Sequence, residues 1–290
     1  MLLHHQIAVD RIIDIDPFAL PADFLFPSVT AENLKTAAAI LPAGHVDFAT
    51  GDILLAIQSH LIRFAGKTIL VDTCVGEHKS RPLRAEWNQR SGTRYLSNLA
   101  AAGCRPEQID FVMCTHLHAD HVGWNTRLES GRWGPTFPRA RYLMSQRELD
   151  QRAHESRQSA AANHGSFQDS VAPLLDADVV DVKKPGDEIN DGTMIVDLAG
   201  HSPGQIGLKI AATARSPVLF CGDAIHSPLQ VLFPDLFSKF CSDPALAIET
   251  RRRLLEHLVG ESVEIIPGHL RGRAMRISEK GGHFYPHIDT

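Results

Sequence analysis

Six residues, His116-x-His118-x-Asp120-His121, constrain this 290-residue chain more than any other feature. They follow Ile109–Cys114, an apolar run of strand length. Four side chains able to bind a metal therefore leave one strand end together. Without a cation, three crowded imidazoles and a carboxylate would repel one another or be desolvated at a cost. Imidazole and carboxylate are borderline-to-hard donors that suit Zn2+ and similar divalent ions. Two histidines two residues apart on an extended segment project to one side and can share an ion. Asp120 and His121 then turn toward a second ion.

Three further candidates are His201, Asp223 and His269. Each follows a short apolar run and adjoins a glycine, as in Ala199-Gly200-His201, Cys221-Gly222-Asp223 and Pro267-Gly268-His269. A histidine alone after a strand is ordinarily a turn residue, so these gain weight from the cluster at 116–121. Strand ends converging on one rim are how α/β proteins build sites. The expected division puts His116, His118 and His201 on one ion and Asp120, His121 and His269 on the other. Asp223 bridges the two. Such a centre keeps a net positive charge and favours a developing oxyanion.

The surrounding pattern mixes strands with helices, which indicates an α/β fold. Ile53–Phe64 and Thr68–Val71 read as a hairpin around Ala65-Gly66-Lys67. Thr93–Gly103 has helical spacing and Pro106–Gln108 is a short connection. Arg141–Met144, Thr193–Leu198, Pro217–Phe220 and Val263–Ile266 read as strands, and Ser145–Ala162 as a polar helix. Asp243–Leu258 reads as a helix with Asp243 as cap and Pro244 in its first position. Residues 17–27 place three phenylalanines among three prolines, which excludes a long helix or a central strand. An ordered arm on the body of the protein is expected there. Residues 1–290 are expected to form one domain, with the arm inside residues 1–50.

Composition narrows the function classes. Apolar residues are 43% and charged residues 22%, ordinary for a globular protein. The net charge of −5 offers no basic surplus for a phosphate backbone, so nucleic acid is not an expected partner. Five cysteines without paired spacing fit a reduced interior better than a disulfide framework. His4, His5, Asp10 and Arg11 interrupt the apolar N-terminus, so no signal peptide is read there. No apolar run nears the roughly 18 residues that span a bilayer. No membrane partner is expected, and a cytoplasmic location is.

The full pattern resembles the metallo-β-lactamase superfamily of dinuclear hydrolases. The resemblance runs from about Ile53 to His269 through Leu70-Val71-Asp72-Thr73, residues 115–123, Gly200-His201-Ser202-Pro203-Gly204-Gln205, Gly222-Asp223 and Gly268-His269. It implies an αββα sandwich: two mixed sheets flanked by helices, with the metals at one edge. It also implies a role for Asp72 in holding a metal-binding imidazole. His118 stands where redox-active di-iron members usually carry an acid, which favours hydrolysis. Few residues follow His269, and no added nucleic-acid-processing segment is found. The nearest branch is therefore that of lactonases and methyl parathion hydrolase. Acyl-homoserine lactonases typically place Tyr three residues after the bridging Asp, but this chain has His226.

These resemblances imply a dinuclear-zinc-bound hydroxide that opens lactones or cleaves related esters, with Mn2+, Co2+ or Fe2+ as other metals. Phosphotriester hydrolysis is the alternative within the class, and a non-catalytic metal-binding module the alternative outside it. Asp120 or Asp223 is expected to relay a proton, and His226 to donate a hydrogen bond to the substrate. Trp124, Phe24 and Phe26 are candidates for an apolar substrate pocket. Cys221 reads as a small buried hydrophobe and Arg251-Arg252-Arg253 as a solvated helix face. Exposed phenylalanines in the arm would need cover, which suggests a homodimer.

Overall fold

The computed structural model of the protein describes residues 7–211, 217–261 and 263–289. His4 and His5, used above in reading the N-terminus, lie outside the described residues. The chain divides into two compact units. Among the described residues, one comprises 15–56 and 185–289, and the other 7–14 and 57–184. Two long strands, β1 (Ala8–Pro21) and β3 (Asp52–Phe64), belong in part to each.

The first sheet has the order β1-β3-β4-β5-β8-β9, with the short β2 (Val46–Asp47) paired to β3. The hairpin of β3 and β4 (Lys67–Val71) turns through Ala65 and Gly66 at φ 49° and 74°. Positive φ at both central residues matches the twist of the flanking strands. From β4 onward the pairing is parallel, through β5 (Phe111–Met113), β8 (Arg141–Ser145) and β9 (Val180–Lys183). Val112, Met113, Leu143 and Met144 are fully buried, as expected for inner parallel strands. Between β5 and β8 lies a separate hairpin, β6 (Thr126–Glu129) with β7 (Arg132–Pro135).

The second sheet runs β10 (Thr193–Asp197), β11 (Ile206–Ile210), β12 (Val218–Gly222), β13 (Glu264–Pro267), β14 (Ala274–Lys280) and β15 (His283–Asp289). Only β12 and β13 pair in parallel, and the other neighbours are antiparallel. The helix Pro244–Gly260 buries Leu254, Leu255 and Leu258 in the core that holds Leu219, Ile265 and Met275. Asp243 caps it by accepting from Leu246 N at 3.0 Å, as the Asp-Pro pair suggested.

Several elements differ from expectation. The proline-rich stretch is not an arm throughout: Pro17 and Pro21 lie in β1, at the end of the sheet's strand order. An edge strand tolerates proline because one side of it needs no ladder partner. Phe18 and Phe26 are buried and Phe24 is partly buried, rather than exposed as expected. The helix expected over 145–162 spans Gln146–Gln158, and the chain then turns through Asn163 and His164 in the left-handed region. Among the described residues, no helix is long and apolar enough to cross a membrane.

Candidate metal centre

Strand direction decides where the candidate side chains emerge. In the unit of residues 57–184, β4, β5 and β8 run in register, with Val71 beside Met113 and Met113 beside Leu143. Asp72 and the 115–121 segment therefore leave the same carboxyl edge. Asp72 adopts φ 58°, a left-handed conformation uncommon outside glycine. Its carboxylate accepts from Thr115 N (2.8 Å), Thr115 Oγ1 (2.8 Å) and His121 Nδ1 (2.9 Å). Asp72 thus holds an imidazole of the cluster, as the sequence suggested.

The same contacts orient the ring nitrogens. With Nδ1–H of His121 donated to Asp72, its Nε2 is left as a donor atom, 3.9 Å from Asp120 Oδ2. Thr115 Oγ1 donates to Asp72 and lies 3.1 Å from His116 Nδ1, so that nitrogen donates to it. His116 Nε2 then faces His118 Nδ1 at 2.9 Å. Imidazoles steered this way, each by a partner on its far nitrogen, are the common arrangement around a metal. Gly123 closes the segment where a side chain does not fit. A Cβ there would lie 1.9 Å from the carbonyl carbon of Val75.

The unit of residues 15–56 and 185–290 carries the other set. Gly222 pairs with Pro267 across β12 and β13, and Gly268 N donates to Gly222 O at 3.1 Å. Asp223 and His269 therefore leave one carboxyl edge. β10 is antiparallel to β11, which is antiparallel to β12, so β10 runs with β12 and delivers His201 at that edge too. Gly200, at φ 137°, lies so near the helix Pro244–Gly260 that a Cβ would stand 2.5 Å from Ala247 backbone atoms.

Three imidazoles surround the Asp223 carboxylate. His201 Nε2 and His226 Nε2 lie 3.4 and 3.2 Å from Oδ2, and His269 Nε2 lies 3.3 Å from Oδ1. Charge-assisted hydrogen bonds are typically shorter, about 2.7–2.9 Å. Ligand atoms on one tetrahedral zinc, each about 2.0–2.1 Å from it, stand about 3.3–3.4 Å apart. The donor types and their spacing fit a divalent cation, and His201, Asp223 and His226 form one such candidate group. His269 Nδ1 donates to Ala56 O at 2.9 Å, which leaves Nε2 toward the carboxylate. Cys241 Sγ lies 3.7 Å from His201 Nδ1, an outer partner that the sequence did not reveal.

His226 is buried, and neither of its ring nitrogens makes a hydrogen bond among the described residues. Phe26 meets its ring edge-on at 6.3 Å. Phe24 lies under Lys239 Nζ, 3.7 Å from the ring centroid, and packs edge-on against Phe240. Trp124 is buried and stacks on Tyr95 at 5.2 Å between centroids. Cys221 is fully buried, and burial pushes its thiol pKa up. The basic run departs from the solvated face expected of it: Arg251 is 1% exposed. It donates to Ala224 O, Pro234 O and Leu236 O, bracing the segment that follows Asp223. Its burial lowers its pKa to about 10.

The family model of the Metallo-beta-lactamase superfamily matches residues 53–269, and the chain belongs to that superfamily. An N-acyl homoserine lactonase from Bacillus sp is 25% identical over 179 residues, 61% of this chain and 62% of the relative. The chain thus spans about 62% of the length of that relative. Among solved structures, the hydrolase AbOPH of the beta lactamase superfamily superposes with a TM-score of 0.77 at 24% identity, covering 98% of this chain and 94% of that one. AidC, described as a dizinc quorum-quenching lactonase with a product bound, superposes at 0.76 and 19% identity, covering 98% and 95%. These likenesses establish the fold: mixed sheets flanked by helices, of the metallo-β-lactamase type expected from the sequence.

Proposed function

We propose that this chain is a metal-dependent hydrolase that opens lactones or cleaves related esters. In this reading the two ligand sets act as one dinuclear centre, and residues 1–290 work as one catalytic domain. His116, His118 and His201 would hold one divalent cation, and Asp120, His121 and His269 the other, with Asp223 shared. The observation that carries the reading is the Asp223 carboxylate, whose two oxygens face different imidazoles at the spacing of shared-cation ligands. Zinc suits this nitrogen-and-oxygen donor set. When bound, such ions supply Lewis acidity and an acidified water near neutral pH.

The chain's own residues would do the rest. His226 Nε2 would donate a hydrogen bond to the substrate carbonyl oxygen. As water adds to the acyl carbon, Asp120, partly exposed, would take the proton the water gives up and pass it to the leaving oxygen when the acyl carbon–oxygen bond breaks. Asp223 offers a second route for that proton. Phe26, against the His226 ring, and Phe24 would supply apolar contact for the substrate. Trp124, stacked on Tyr95, would back that surface. A cytoplasmic setting belongs to the same proposal.

His226, standing where lactonases of this type usually carry Tyr, favours a second reading as a phosphotriester hydrolase. One panel tests both. The metal-loaded protein is assayed on γ- and δ-lactones, aryl esters and aryl phosphotriesters, with metal content measured by elemental analysis. Two equivalents of metal per chain are expected. Lactone turnover should be lost to a chelator and restored by zinc. Phosphotriester turnover exceeding that of lactones by orders of magnitude would establish the second reading. Less than one equivalent would favour a non-catalytic module.

A further inference from the structure

The imidazole of His121 is held by Asp72, and that of His116 by Thr115, which Asp72 also holds. His118 is treated differently, because its backbone is gripped on both sides by side chains from a distant part of the sequence. Leu117 N donates to Glu148 Oε2 at 3.0 Å. Asn163 Nδ2 donates to Leu117 O at 2.6 Å, and Asn163 Oδ1 accepts from Ala119 N at 3.1 Å. Asn163 thereby holds the carbonyl of the peptide before His118 and the amide of the peptide after it, and Glu148 holds the amide one peptide earlier.

Both clamping residues are themselves built in. Glu148 is 1% exposed and sits in the first turn of the helix Gln146–Gln158, where Ser145 Oγ accepts its amide. That helix starts directly after β8, whose carboxyl edge is the one that carries the 115–121 segment. Asn163 holds φ 47° and ψ 42°, a left-handed conformation that Asn tolerates better than most residues. The carbonyl of the next residue, His164, accepts from the buried Arg81, which also grips Asp169 through two bonds of 2.7 and 2.8 Å. A buried carboxylate that takes a loop amide beside its pairing with Arg152, and a left-handed Asn that takes two peptide groups beside its bond to Ser166 Oγ, are more than a connecting loop requires, since water would serve its polar groups. They make sense where a backbone must stay in place while two imidazole nitrogens are held 2.9 Å apart.

We propose that Glu148 and Asn163 are positioning residues. Asn163 fixes the peptide groups on either side of His118 and Glu148 the amide between His116 and Leu117, and together they set the affinity of the His116–His118 side of the centre for its cation. This rests on the metal reading above. Removing an outer partner of a metal ligand typically weakens binding about 10–100-fold.

The test uses Asn163→Gly, Glu148→Ala and Glu148→Gln. Glycine accepts the left-handed backbone without strain, so Asn163→Gly removes the clamp and the side-chain bond to Ser166 Oγ while the backbone keeps its conformation. Glu148→Gln keeps an oxygen for Leu117 N and should restore what Glu148→Ala loses. Chelator competition on the full-length protein should show one of two metal equivalents weakened about 10–100-fold in Asn163→Gly and Glu148→Ala. The other equivalent should be unchanged. In metal-free protein, the amide of Ala119 should exchange faster in Asn163→Gly than in the wild type, and that of Leu117 faster in Glu148→Ala. Wild-type affinity for both equivalents in Asn163→Gly, or equal weakening of both, overturns the proposal even if Glu148→Ala fails to fold. In those cases the wild type still binds two equivalents and the metal reading stands. A wild type that takes up no metal removes that reading and this proposal together.

Discussion

The two ligand sets solve one problem in opposite ways. Four candidate ligands come from the six consecutive residues 116–121, whereas His201, Asp223 and His269 come from three separate strand ends. A contiguous loop brings its donors near one another by covalent geometry but cannot hold itself still. It depends on side chains from elsewhere in its unit: Asp72, Glu148 and Asn163. The dispersed set has the reverse economy. Sheet register and strand direction place its backbone, as in the Gly268–Gly222 bond between neighbouring strand ends. Side-chain braces are added to that frame, Arg251 on the carbonyls that follow Asp223, Thr250 on Ala199 O and Gln205 on Cys221 O. The lesson is that a sequence motif and a sheet edge fail differently. One fails through its supports, the other through its own ligand.

That contrast predicts the order of mutational effects. The largest should come from Asp223→Ala, which removes the carboxylate that three imidazoles face. Hydrolytic kcat/KM should fall by more than about 100-fold, beyond the cost of losing an outer partner, with metal content reduced. Activity within tenfold of wild type would break the bridging reading. Asp72→Asn comes next, because it strikes the contiguous set through its support. Thr115 and His121 would meet an amide in place of two carboxylate oxygens. Metal affinity should weaken about 10–100-fold. Stability should fall by about 1–3 kcal/mol as buried donors lose partners, measurable by urea denaturation.

An effect on stability alone concerns the buried ionic frame behind Asn163. Lys79 lies 3.5 Å from the centroid of Trp133 and donates to Thr126 Oγ1 and to Asp169 O. Burial lowers its pKa from 10.5 to about 7. Between those values the unfolded chain binds a proton there that the folded chain has released, so folding stability gains as pH rises through the window. Below about pH 7 the ammonium is charged in both states, and its desolvation weighs against folding. Urea midpoints of the wild type should therefore rise between about pH 7 and 10.5 relative to Lys79→Met. A constant difference between the two across that range would show that Lys79 stays charged when buried.

Legibility in the sequence followed the same division. The 116–121 cluster, the hairpin turn at Ala65-Gly66 and the Asp243-Pro244 helix start were readable because each is local. The expected role of Asp72 also came through, as a resemblance. Glu148, Asn163 and Cys241 left no signal, because a glutamate in a polar helix, an asparagine in a turn and a thiol without a pair are ordinary in isolation. Arg251 misled for a related reason: a run of three arginines reads as a solvated face, and only packing shows that one of them is buried. The prolines at 17 and 21 misled by excluding a central strand while leaving an edge strand open.

By itself the sequence determined which donor atoms the chain offers and that they suit a hard or borderline divalent cation, because ligand chemistry belongs to residue type. It also determined where strands end, since apolar runs and glycines are local facts. Only the tertiary structure decided which nitrogen of each imidazole is left to bind, because that depends on the partner at the opposite nitrogen. It alone placed the clamps around His118, because hydrogen bonds between residues far apart in sequence exist only once strand order and direction are set.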